Sequence, residues 1–350
     1  MLTSQSYIAI NQFMPSVKPM KGTVKVLFDH LEQFEPTYQQ ISSNTSKKKI
    51  TSQSLQSEQF IDGHFKKDIL KLHNCREVVF KTGPTTFQIN IHYKNESLDL
   101  FIDTLMYCLS FVSMLTTHNK KNITMNYYLL NTKRVLDGDT IFDKGEVNGG
   151  ACGSIDTECG ITVWRKEEIL KVSIHELIHC LDYDYKNDTS DIIQHYQQKY
   201  AVTSQKMNTF EAYTEIYAAL LHSYLVTRLY HKIDPSFKPY DLFVANVGIE
   251  MEFSQLQASK VLSLLDKNKD MNKETNVCAY YIIKTELYED LHNFLKFSVS
   301  HNKDIIKLTD TSKYFDYLKG LNKVNKKKYK VTSYLKQTTR MTCLEIDLFK

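Results

Sequence analysis

The apolar residues change their period at one point in the chain, near residue 166, and that change limits the folds open to it. Upstream, residues 86–93 set Phe87, Ile89 and Ile91 against Gln88, Asn90 and His92, the period-two pattern of a half-buried strand. Residues 77–81, 127–136 and 160–165 read as further strands, and 145–153 as a short glycine-rich extended piece. One long helix is expected over 98–118. Downstream the repeat is near 3.6 residues throughout, giving expected helices over 166–181, 190–200, 208–230, 240–265, 277–299 and 311–321. Strands followed by helices imply an α+β chain with a small mixed sheet and a largely helical C-terminal half. The 11 glycines and 6 prolines among 350 residues exclude a turn-dense all-β protein, because tight hairpins lean on both.

The N-terminal region, 1–60, has a strand-like run at 23–28 and a helical run at 30–41. Residues 42–59, rich in Ser, Gln and Lys and without periodicity, read as a surface loop opening a linker to about 75. The expected organisation is then a main domain over 76–300 and a helical, basic extension over 301–350. Forty-four basic against 40 acidic residues leave a net charge of +4, and only five of the basic residues are arginine. That balance gives no call for nucleic acid, and few guanidinium forks to read it with. The most apolar stretch, 98–117, carries Asp99, Asp103 and several hydroxyls, so it reads as a buried helix and not as a membrane partner. The seven cysteines, Cys75, Cys108, Cys152, Cys159, Cys180, Cys278 and Cys343, are odd in number and scattered. With no signal peptide visible in the first 13 residues, they point to structural thiols of an intracellular, cytoplasmic protein.

The chemistry concentrates in His175-Glu176-Leu177-Ile178-His179. Leu170, Ile174, Leu177, Ile178 and Leu181 make one apolar stripe, so the segment is a helix with a buried side. His175 and His179, four apart, stand one above the other on another face and can close on one tetrahedral Zn²⁺. Glu176, about 100° further round, is placed to act as general base on a water held by the metal. A third ligand is needed. Tyr185 and Asp182 stand where a metzincin has its third His and its Gly, which excludes that class. Downstream, Glu211 and Glu215 share a helix face, a spacing that suits one carboxylate on a cation and the other accepting from a ligand imidazole. The face continues to His222, and Asp182, Asp184 and Asp188 are weaker rivals as ligands.

These residues resemble the gluzincins, zinc peptidases with a ligand Glu on a second helix, and within them the lethal-factor-like group. Glu211-Ala-Tyr-Thr-Glu215, His222-Ser223 and Asp182 are similar to that group's second helix and its Asp after the motif. The resemblance implies Glu211 as third ligand, with Glu215 and Asp182 as partners of ligand imidazoles. Ser204 stands where the group has an oxyanion-assisting Tyr, leaving Tyr200, Tyr213, His222 and Tyr280 as replacements. Residues 163–168 and 171–176, with 146–150 and 277–284, also resemble an uncharacterised metallopeptidase family encoded by large DNA viruses, over about 145–287. The resemblances imply a zincin-like fold, a protein or peptide substrate, and an edge strand near 145–153 that binds extended peptide. The expected function is zinc-dependent peptide hydrolysis. The alternative is a non-catalytic, zinc-binding structural or host-interaction protein, such as one of a virion, on the same scaffold.

Overall fold

The computed structural model describes residues 2–17, 20, 22–48, 50–52, 55, 61–136, 142, 144–266 and 275–349. In chain order its elements are α1 Ser4–Phe13, α2 Lys25–Leu31, β1 Gln39–Lys47, α3 Gly63–Ile69, β2 Asn74–Thr82, β3 Thr85–Tyr93, α4 Asp99–Met114, β4 Asn122–Tyr128, α5 Lys144–Val147, β5 Gly150–Ile155, β6 Glu158–Val163 and α6 Ile169–Cys180. There follow α7 Ser190–Tyr200, α8 Thr209–Ile233, α9 Pro239–Leu265, a wide helical turn Cys278–Ile283 running into α10 Lys284–Glu289, α11 Leu291–His301, α12 Thr311–Gly320 and α13 Ser333–Gln337. The chain is α+β, with a six-stranded mixed sheet and a helical C-terminal half. Its residues form two compact units that interleave in sequence. One holds the sheet: Phe34–Lys133, Asn148–Asp182 and Asp347–Lys350. The other is helical: Met1–Gln33, Arg134–Val147 and Tyr183–Ile346. Neither begins or ends near residue 60 or 300.

In the sheet unit the strand order is β1-β2-β3-β4-β6-β5. β1, β2 and β3 are antiparallel neighbours, and Gly83, at φ 53, turns the tight β2–β3 hairpin. α4 crosses over to bring β4 parallel to β3, β6 lies parallel to β4, and β5 runs back antiparallel at the edge. Among the described residues β5 pairs with β6 alone, so its outer side is a sheet edge. α6 packs on α4 and on β5 and β6. The expected apolar stripe is its anchor: Leu170, Ile174, Leu177, Ile178 and Leu181 are all buried. A second core gathers Phe65 and Ile69 of α3 with Leu72, Tyr128, Leu130 and the single tryptophan, Trp164, which is fully buried.

In the helical unit the two long helices α8 and α9 pack together, with α1, the wide turn and α10 against them. Gly248 of α9 allows a close approach, since a Cβ there would stand 2.4 Å from Val17 Cγ1. The C-terminal segment is built in by Glu250, whose buried carboxylate accepts the backbone N–H groups of Cys343 at 3.0 Å and Leu344 at 2.9 Å.

Several expected elements differ. Residues 23–28 form helix α2, because Val24, Leu27, Phe28 and Leu31 are the buried set and their spacing is helical. The helical run expected over 30–41 ends at Leu31, and the loop expected over 42–59 holds most of β1, which gains its place from backbone pairing with β2. Residues 49, 53–54 and 56–60 of that loop lie outside the described residues. The strand expected over 127–136 lies earlier, at β4, where Ile123, Met125 and Tyr127 face the core. The glycine-rich piece over 145–153 divides into α5 and the start of β5. The long helix over 277–299 breaks at Asp290, whose backbone (φ −111, ψ 29) leaves the helical region. The apolar stretch near 98–117 is α4, and among the described residues no helix is long and apolar enough to cross a membrane.

Candidate metal centre

The sheet unit supplies two imidazoles. α6 starts after Glu168, at φ 60, and closes before Asp182, at φ 54, both left-handed positions that end regular helix. On it His175 is buried and His179 half-buried, with their Nε2 atoms 3.1 Å apart and ring planes at 79°. Two nitrogens each about 2.05 Å from a tetrahedral Zn²⁺ stand about 3.3 Å apart, so this pair already has the separation of two ligands of one ion. The adjacent Glu176 is buried. Gly150, the first residue of β5, lies directly against it: a Cβ there would stand 2.7 Å from Glu176 Oε1 and 2.7 Å from Val172 Cγ1. The carboxylate is therefore held beside the opening residue of the edge strand. The glycine-rich composition of 145–153 was the available signal for this contact.

Asp182 pairs with Lys120 Nζ at 3.0 Å. Lys120 also donates to Ser154 Oγ at 2.6 Å and to the Asp156 carbonyl at 2.8 Å, tying the β5–β6 turn to the end of α6. Cys159 of β6 and Cys180, the last residue of α6, are joined by a disulfide, where the sequence implied scattered thiols.

The helical unit supplies the carboxylates. Asp188 caps α8, accepting the Thr209 N–H at 3.0 Å and its hydroxyl at 2.7 Å, and burial pushes the Asp188 carboxyl above its usual range. Glu211 lies in the first turn of α8, where the helix dipole favours a negative charge. Asn276 Nδ2 donates to Glu211 Oε1 at 3.1 Å, and Asn276 Oδ1 accepts in turn from Asn208 Nδ2 at 2.6 Å. Two amides thus orient the carboxylate. Glu215, one turn on, is fully buried and ion-paired with Lys284 Nζ at 3.3 Å. His222 is buried on the same helix, two turns further along. Asp184 accepts from the Thr214 hydroxyl at 3.1 Å.

Of the tyrosines expected to assist at an oxyanion, Tyr200 donates to Glu286 Oε1 at 2.6 Å and Tyr213 to the Ile306 carbonyl at 2.5 Å. Tyr280 is half-buried, and its hydroxyl accepts from Asn276 Nδ2 at 3.4 Å, the same amide that serves Glu211. Asn208 and Asn276 were not singled out by the sequence, because each acts through a partner remote along the chain.

His175 and His179 of the sheet unit and Glu211 of the helical unit are the side chains that could hold a metal ion. Two neutral imidazoles and one carboxylate are a donor set that suits a borderline divalent cation. No known protein family matches the chain, and no curated protein or solved structure matches it.

Proposed function

We propose that the chain is a zinc-dependent peptidase of the gluzincin type, acting on a protein or peptide substrate. The observation that carries this reading is on α6: two imidazole Nε2 atoms 3.1 Å apart, with Glu176 next in sequence and held against the first residue of the sheet-edge strand β5. His175, His179 and Glu211 would hold the ion. A bound Zn²⁺ supplies Lewis acidity and lowers the pKa of a coordinated water. Glu176 takes the proton of the attacking water on its carboxylate and delivers it to the leaving amine nitrogen. Its confinement beside Gly150 keeps it from swinging away between those two transfers. The outer edge of β5 offers backbone N–H and C=O groups that an extended peptide can pair with. Asn276, by orienting Glu211, reduces the disorder a free carboxylate ligand would bring. The viral resemblance and the reading as an intracellular protein stay with this proposal.

The test combines metal analysis with cleavage of a mixed peptide library by the full chain. The expected result is a zinc-loaded parent that cuts library members, and a Glu176→Gln variant that keeps its zinc while losing activity by ~10²–10⁴-fold. A Glu176→Gln variant as active as the parent would overturn the mechanism. A zinc-loaded parent that cuts nothing would instead favour the non-catalytic alternative.

A further inference from the structure

A second cluster of metal-ligating side chains lies wholly in the sheet unit and plays no part in the mechanism above. Cys152 stands on β5 and Cys159 on β6. Their register pairs Cys152 with Ile161 and Ser154 with Cys159, so the two cysteines are diagonal neighbours on one face of the hairpin. Their Sγ atoms are 3.6 Å apart. α6 packs on both strands and brings in Cys180, whose Cα is 6.0 Å from that of Cys159. All three Sγ atoms fall within 4.8 Å of one another. Cys159 and Cys180 are buried, and Cys152 is half-buried. Two sulfurs each about 2.3 Å from a tetrahedral Zn²⁺ stand about 3.8 Å apart, near the separation of Cys152 and Cys159. A disulfide uses two sulfurs and gives no reason for a third beside them. A metal site uses all three.

We propose that, once the Cys159–Cys180 bond is reduced, Cys152, Cys159 and Cys180 together hold a thiophilic d¹⁰ cation, Zn²⁺ or Cu⁺, at the foot of α6. A dithiol supplies the reduction. Its two thiols are oxidised to a disulfide, the Cys159–Cys180 bond breaks, and the two electrons and two protons end on Cys159 and Cys180. Each of the three thiols then gives up its proton as its sulfur binds the ion. Soft thiolate donors select these cations over Mg²⁺ or Ca²⁺. The position gives the site a consequence. Cys180 directly follows His179, and Cys152 lies two residues beyond Gly150, so the ion would clamp the end of the imidazole-bearing helix to the edge strand. The proposal does not rest on the imidazole centre, and the two can fail separately.

The experiment uses the full chain, reduced anaerobically with a dithiol, freed of it, loaded with Zn²⁺ and desalted. The parent should hold about two zinc ions, Cys152→Ser about one, His175→Ala about one, and the double variant none. The Co²⁺ form of His175→Ala, with every cysteine native, should show the near-ultraviolet sulfur-to-cobalt charge-transfer absorption, and Cys152→Ser should lose it. That spectrum decides the matter even if Cys152→Ser fails to fold. A reduced His175→Ala chain that binds no zinc and shows no such band overturns the proposal. A parent holding one zinc, kept by His175→Ala but lost by Cys152→Ser, would uphold the sulfur site and remove the imidazole one.

Discussion

Gly150 and Glu176 are in contact across β5 and α6, with no room for a single methyl group: a Cβ on residue 150 would lie 2.7 Å from Glu176 Oε1 and 2.8 Å from its Cγ. Gly150→Ala must therefore displace either the carboxylate or the edge strand. Overpacking of this kind costs about 1–3 kcal/mol. Because His175 and His179 lie on another face of α6, metal content should be unchanged while kcat/KM for any cleaved peptide falls by ~10-fold or more. Zinc analysis beside peptide kinetics checks this. An alanine variant with parental kcat/KM would show that the contact does not position the base.

Asn276 and Glu211 give a second prediction. The amide donates to Oε1 at 3.1 Å and is itself held by Asn208. Removing the groups that orient a metal ligand typically weakens binding by ~10–100-fold. Asn276→Ala should lower zinc affinity by that much in a chelator competition, with Asn276→Asp worse because it places a second carboxylate beside Glu211. Affinity unchanged in both variants would detach Glu211 from the metal.

Glu215 separates the two carboxylates of α8. It is fully buried, with Lys284 Nζ 3.3 Å away, and Lys284 also donates to the Met341 carbonyl at 2.8 Å. Breaking a buried pair by neutralising one partner costs about 3–5 kcal/mol, because the other charge stays buried. Glu215→Gln should therefore lower unfolding stability in denaturant while leaving zinc stoichiometry intact, and Glu211→Gln should do the reverse. Loss of zinc in Glu215→Gln at full stability would exchange the roles of the two residues.

What the sequence disclosed and what it concealed divide along physical lines. α6 and α7 were legible because their own residues carry the pattern, Leu170 to Leu181 on one buried stripe and Ile192, Tyr196 and Tyr200 on another. The imidazole pair was legible for the same reason, since a four-residue spacing fixes geometry locally. β1 was hidden, because a largely exposed strand of Gln, Ser, Asn, Thr and Lys owes its form to pairing with β2 and not to its own apolar pattern. α2 was obscured by Thr23, Val24 and Val26, whose β-branched side chains favour strands, although the buried set has helical spacing. The amides orienting Glu211 and the Cys180 sulfur beside Cys159 depend on contacts between residues 21 to 68 positions apart, which no local periodicity records.

His92 carries the last prediction, and it concerns stability. It is buried on β3, its ring stacked on Tyr128 with centroids 5.1 Å apart. Burial, reinforced by the positive charge of Lys48 and opposed by Glu77, lowers its pKa from 6.5 to about 4. The folded chain thus keeps this imidazole neutral where the unfolded chain would protonate it. Above pH 6.5 both states are neutral and nothing is lost. Between pH 6.5 and about 4 the unfolded state binds the extra proton, so stability falls as the pH falls. The full loss is on the order of 3 kcal/mol, reached near pH 4. His92→Phe keeps a ring against Tyr128 and removes the titration. Its unfolding free energy should decline less steeply than the parent's across that window, and the two curves should run parallel above pH 7. Equal slopes in the acid window would mean that His92 is protonated in the folded chain.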